Sequence, residues 1–86
     1  MHWRQPVSLA DLAEGQEYRL DRIDLPEPDA RRLMELGFLP GTLITAARSA
    51  PFGDPRVYQV DGSEVALRRE TAIKMFVSPV PKDQSA

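Results

Sequence analysis

The side chains here that could do chemistry are a lone histidine, pairs of arginines and a few aromatics. His2 is the one histidine among 86 residues, and there is no cysteine. A centre built from two histidines and a carboxylate is therefore out of reach of a single chain. So are thiolate ligation, a cysteine nucleophile and any disulfide. The carboxylates are spread along the chain, and no spacing gathers several of them onto one element. An ion at His2 would be adventitious. Gly37-Phe38-Leu39-Pro40-Gly41-Thr42 faintly suggests a phosphate-binding loop, but the spacing is one residue short and the lysine is missing. The helix also comes before the glycines, so its free amides would not face a ligand. There is no Gly-x-Ser-x-Gly, and the histidine has no evident triad partner. A chain this short offers little water-excluding volume for acid–base work. The expectation is a protein that is not an enzyme and carries no metal and no cofactor.

Arginines and aromatics leave two binding classes. Arg31-Arg32 and Arg68-Arg69, with Trp3, Phe52 and Tyr58 as stacking platforms, would suit nucleic acid. Against this, the net charge is −2, which gives no pull toward a phosphate backbone. Adjacent arginines point in different directions, and Tyr58 fits an inward strand position. A weak nucleic-acid-binding barrel is kept only as an alternative. Protein binding fits better. Phe52 sits at the tip of Ala50–Pro55, and Phe38 and Leu39 flank Pro40. Clustered apolar loop residues are docking anchors. Phe52 either docks a partner or folds over the mouth of the barrel, while Phe38 and Leu39 favour the core. The candidate docking surface combines Leu39, Pro40 and Phe52 with the nearby Arg48 or Arg56. Self-association through the same apolar residues is the competing class.

These residues must be held by short elements. Ser8–Gly15 reads as one or two helical turns, with Ser8 as a cap and Gly15 as the stop. In Glu17–Leu25 the pair Tyr18 and Leu20 is out of phase with Ile23 and Leu25. A strand with a bulge near Asp21 reconciles them. Pro26–Gly37 is the clearest helix, with Pro28 at its first position. Ala30, Leu33, Met34 and Leu36 form its apolar stripe, and Gly37 is a left-handed C-cap. Pro40-Gly41 signals a type II turn. Thr42–Ser49 is a second strand with Ile44 and Ala46 on one face. Gly53 and Asp54 mark a loop between two prolines. Asp61-Gly62 is a two-residue hairpin turn between strands that direct Tyr58, Val60, Val65 and Leu67 to one side. A short helical turn near Glu70 and a strand over Met75–Val80 close the chain. The fold class is mainly β, a small and partly open barrel with one or two short helices.

The totals agree. An apolar fraction of 42% supports one small packed domain, taken as residues 1–78, with a polar tail at 79–86. No stretch is apolar enough for a signal peptide or a membrane helix. Small secreted domains usually need disulfides, so a cytoplasmic location is expected.

Two ordered motifs then stand out. One is Met34-Glu35-Leu36-Gly37, Phe38-Leu39 and Pro40-Gly41-Thr42. The other is Ala50-Pro51-Phe52-Gly53-Asp54-Pro55 followed by Ala66-Leu67-Arg68-Arg69. In order and separation they resemble the FeoA family of bacterial ferrous iron transport, over about Gly15 to Val77. Met34 and Phe52 replace the family's usual leucines, and Tyr18 replaces a small residue. The resemblance implies an SH3-like β-barrel and a cytoplasmic accessory of FeoB, a membrane ferrous iron transporter with a GTPase domain. The accessory would modulate transport or the GTPase cycle. The family is associated with transition-metal ions, but this chain lacks the ligands for a stoichiometric iron site. The same barrel occurs in metal-dependent repressors, whose helix-turn-helix domain has no room here.

Overall fold

The strands alternate apolar and polar residues over short runs, so each can bury one face only, and they curl around one core. In the computed structural model, which describes residues 7–80, six strands form one antiparallel sheet. They are β1 (Val7–Ser8), β2 (Glu17–Ile23), β3 (Leu43–Ser49), β4 (Arg56–Val60), β5 (Ser63–Leu67) and β6 (Met75–Pro79). Their order across the sheet is β1-β6-β2-β3-β4-β5. Helix α1 (Glu27–Glu35) lies between β2 and β3, and α2 (Arg69–Ala72) between β5 and β6; a 3-10 turn (Leu9–Asp11) follows β1. His2, Trp3 and the stretch from Pro81 lie outside the described residues.

The bulge expected near Asp21 is present. Leu20 pairs with Val77 and Arg22 with Phe76, so Asp21 is the extra residue in β2. A second register shift lies in β3. Ala46 pairs with Tyr58 and Ser49 with Arg56, three steps on one strand against two on the other. The Asp61-Gly62 turn has φ of 52° and 79°, the two positive values a type I′ turn needs. Inward residues of all the longer strands meet in one core, with Leu20, Ile44, Tyr58, Val60 and Met75 buried alongside Leu9 and Phe38.

Three expectations for the first half of the chain are corrected. Ser8 does not cap the turn that follows it; its hydroxyl donates to the Asp11 carboxylate at 3.2 Å. Helix α1 starts one residue early, with Pro26 in the cap position and Pro28 second in the helix. Its apolar stripe is also narrower than expected: Ala30 and Leu33 are buried, but Met34 and Leu36 are exposed. The reason lies in how the helix ends. The Gly37 amide donates to the Met34 carbonyl and the Phe38 amide to the Leu33 carbonyl, each near 3.0 Å, with Gly37 at φ +112°. This is a Schellman motif, which brings the residue after the glycine back to the helix. Phe38 thereby fills the core position, and the residues around it are left outside.

Candidate partner-docking site

The expected surface is built on two loops, and the structure places them at opposite ends of β3. Leu39 and Pro40 lie just before the strand and Phe52 just after it. A seven-residue strand is about 20 Å long, so one small patch cannot include both.

The first end is a corner held by backbone. After the Schellman turn, the Thr42 amide donates to the Leu39 carbonyl at 2.9 Å, with Gly41 at φ +92°, as a type II turn requires. The corner is tied to β2 on both sides: the Gly41 amide donates to the Leu20 carbonyl at 2.7 Å, and the Leu20 amide to the Thr42 carbonyl at 2.9 Å. Phe38 points into the core and Leu39 outward, which corrects the inward placement expected for Leu39. Leu39 is 48% exposed and is joined at this end by the exposed Met34, Leu36 and Leu43. Among the described residues, four of the six large exposed apolar side chains thus fall within residues 34–43. A backbone frame held by hydrogen bonds thus presents apolar side chains to solvent here.

The other end is the Ala50–Pro55 loop. The Gly53 amide donates to the Ala50 carbonyl at 2.7 Å, forming a turn with Phe52 at its tip. Phe52 is 97% exposed, so it does not fold over the barrel mouth. Asp54 serves the framework. Its carboxylate accepts the Arg69 amide at 2.9 Å and so holds the start of α2.

The two arginines separate. Arg48 would face inward in phase with Ile44 and Ala46, but the register shift in β3 turns it out. Its guanidinium donates to both carboxylate oxygens of Glu64, at 3.0 and 3.3 Å. The pairing raises the pKa of Arg48 and lowers that of Glu64, first through the hydrogen bond and then through charge. Arg56, a candidate docking residue, is placed in an internal tie. It is half-buried, and Nη1 donates to the Leu12 carbonyl beyond the 3-10 turn. Tyr58, two residues on, donates its hydroxyl to the Leu9 carbonyl at 3.3 Å. The sheet ends at β1 and β5, and these side chains reach across that seam. Burial holds the Tyr58 phenol above its usual range, with the Arg56 charge opposing. The sequence carried a signal for this role: Arg56 is in phase with the inward Tyr58 and Val60.

Among the described residues, no three His, Cys, Asp or Glu side chains come close enough together to hold a metal ion. No helix there is long and apolar enough to cross a membrane.

The FeoA domain model matches residues 7–79. The chain belongs to the FeoA family. It is 31% identical over 80 residues to the Fe(2+) transport protein A/Fe(2+) transporter FeoB fusion protein of Porphyromonas gingivalis. That alignment covers 93% of this chain but only 10% of the fusion protein, so the match spans a small part of that relative's length. The FeoA protein of Chlorobium tepidum has a similar structure, with a TM-score of 0.83 and 28% identity over 92% of this chain and 75% of that one. The FeoA of Stenotrophomonas maltophilia, an SH3 domain protein solved with zinc, superposes with a TM-score of 0.71 and 32% identity. That match covers 84% of this chain and 89% of the other. The fold is SH3-like, as the resemblance implied.

Proposed function

We propose that this protein is a cytoplasmic accessory of bacterial ferrous iron uptake that binds a FeoB-like membrane transporter and modulates its transport or GTPase activity. The observation that carries the reading is the relative in which FeoA and FeoB are one polypeptide. A fusion is useful only where the joined parts work in proximity, because it makes their encounter intramolecular.

The corner formed by Leu39, Pro40, Met34, Leu36 and Leu43 is the docking face in this reading. Its side chains are apolar and exposed, and its backbone is already ordered, so little conformational freedom is lost on binding. Phe52 is a separate contact at the far end of β3. No residue of the chain is given a catalytic role. Titration calorimetry with detergent-solubilised FeoB, with and without a GTP analogue, tests the proposal. Saturable binding supports it, and dependence on nucleotide makes the protein a regulator of the GTPase cycle. Leu39→Asp should weaken binding by ~2 kcal/mol, roughly 30-fold. Absence of binding in both nucleotide states would reject the reading.

A further inference from the structure

Strand β5 is an edge of the sheet, and among the described residues it pairs only with β4. The hairpin fixes which of its backbone groups are left over. The two-residue turn at Asp61-Gly62 makes Val60 and Ser63 a hydrogen-bonded pair. Every second pair follows suit, so Ser63, Val65 and Leu67 bond to β4, while Glu64 and Ala66 turn their N–H and C=O groups away from it. No loop or cap backbone among the described residues takes these groups up. Natural edges are blunted by proline, lysine, bulges or shortness. β5 runs through five residues in unbroken register, with neither proline nor lysine, and Glu64 and Ala66 are exposed.

This edge is also self-complementary. The Ala66-Leu67-Arg68-Arg69 motif, which has no part in the docking corner, runs off its end. Arg68 is exposed, and its backbone is still extended, at φ −72° and ψ 150°. Glu64 and Arg68 therefore flank Ala66 evenly on one face of the strand. A second copy placed antiparallel about a two-fold axis at Ala66 sets each Glu64 opposite the partner's Arg68. On the other face it sets Val65 opposite the partner's Leu67, and the small Ala66 meets its own copy on the axis. Moving the axis to Val65 loses the charge pairs, and moving it to Glu64 opposes like charges.

We propose that β5 pairs with the β5 strand of a second copy of this chain, joining two barrels through one continuous sheet. The two Ala66 residues exchange both backbone hydrogen bonds, and each Arg68 amide donates to the carbonyl of the partner's Glu64. The Arg68 carbonyl is already held by the Thr71 and Ala72 amides at 3.0 Å and adds none. Arg48 donates two hydrogen bonds to the Glu64 carboxylate from within its own sheet. A carboxylate has about four acceptor sites, which leaves room for the partner's Arg68. Sharing that carboxylate weakens the charge pair, and one strand edge is a small interface, so the dissociation constant is on the order of 100 µM. The pairing rests on neither the apolar corner nor the transporter, and so stands apart from the function proposed above.

Sedimentation equilibrium of the full chain from about 10 µM to about 1 mM tests this, because the dimer's population follows protein concentration. A monomer–dimer equilibrium is expected. Ala66→Lys sets two lysines against each other on the axis, and Arg68→Glu sets a carboxylate against the partner's Glu64. Each should weaken dimerisation about tenfold or more and leave the melting temperature of the monomer unchanged. Ala66→Cys reads the register. Directly opposite residues lie about 5.5 Å apart at Cα, within disulfide reach, so mild oxidation should give a covalent dimer. Gln59→Cys, exposed on the outer face of β4, should cross-link far more slowly. A single species of monomer mass at every concentration would overturn the proposal. So would dimerisation that Ala66→Lys and Arg68→Glu leave intact, or equal cross-linking through Gln59→Cys.

Discussion

At Tyr58 a buried phenol is both a core side chain and a hydrogen-bond donor to the Leu9 carbonyl. Desolvation disfavours the phenolate, so the folded-state pKa lies above the unfolded value of about 10. A group raised in the folded state contributes stability that is complete below its unfolded pKa and is lost as pH rises through the folded one. Stability should therefore decline above pH about 10. In a Tyr18→Phe background, near-ultraviolet absorbance should show Tyr58 ionising later in the folded protein than in denaturant. Coincident curves would contradict the assignment. Arg56→Met removes the donor to Leu12 and should cost about 1–3 kcal/mol in chemical denaturation, because a carbonyl loses its partner. Phe52→Asp is the contrasting case. At 97% exposure the side chain holds nothing in place, so the melting temperature should hardly move.

At the scale of elements, the end of α1 governs the corner. Gly37 has φ +112°, and a methyl group there would sit 3.5 Å from the Asp61 Cβ, a distance with room for it. The penalty of Gly37→Ala is therefore conformational, about 1–2 kcal/mol, and should appear as a melting temperature lower by several degrees. The register shift in β3 makes a different prediction, because it turns Arg48 out to Glu64. The Glu64 pKa is lowered, so its contribution is present above the ordinary carboxylate pKa and is lost as pH falls through the folded value. The pair is solvent-exposed, which keeps that contribution small and sensitive to salt. Glu64→Gln should leave the melting temperature at neutral pH nearly unchanged and flatten its acid dependence slightly. A large loss at neutral pH would show that the pair organises the bulge.

For the whole molecule, the functional consequence is the separation of the two ends. The apolar corner and the Phe52 loop lie on opposite sides of the barrel, so a single partner surface does not need both. Leu39→Asp and Phe52→Asp should then act additively on the proposed binding to FeoB, since distant sites without shared contacts couple weakly. Marked non-additivity in calorimetry would mean that one partner segment spans the barrel.

Much of this architecture was legible along the chain, because local rules dictate it. Gly37, Gly41, Asp61 and Gly62 stand where positive φ is needed, and the phase slip between Tyr18–Leu20 and Ile23–Leu25 locates the bulge at Asp21. The two ordered motifs point to the family. What only the tertiary structure decided is which apolar and charged side chains are left over. Met34, Leu36 and Leu39 read as core by type and spacing, yet Phe38 takes the buried place once the helix end folds back. Arg48 and Arg56 look alike in sequence. A one-residue register shift sends the first to solvent, and the seam between the sheet's edges recruits the second. Periodicity and turn chemistry act within a few residues and are written in the chain. Competition for one core, and the closing of a sheet on itself, depend on residues more than forty positions apart, such as Arg56 and Leu12.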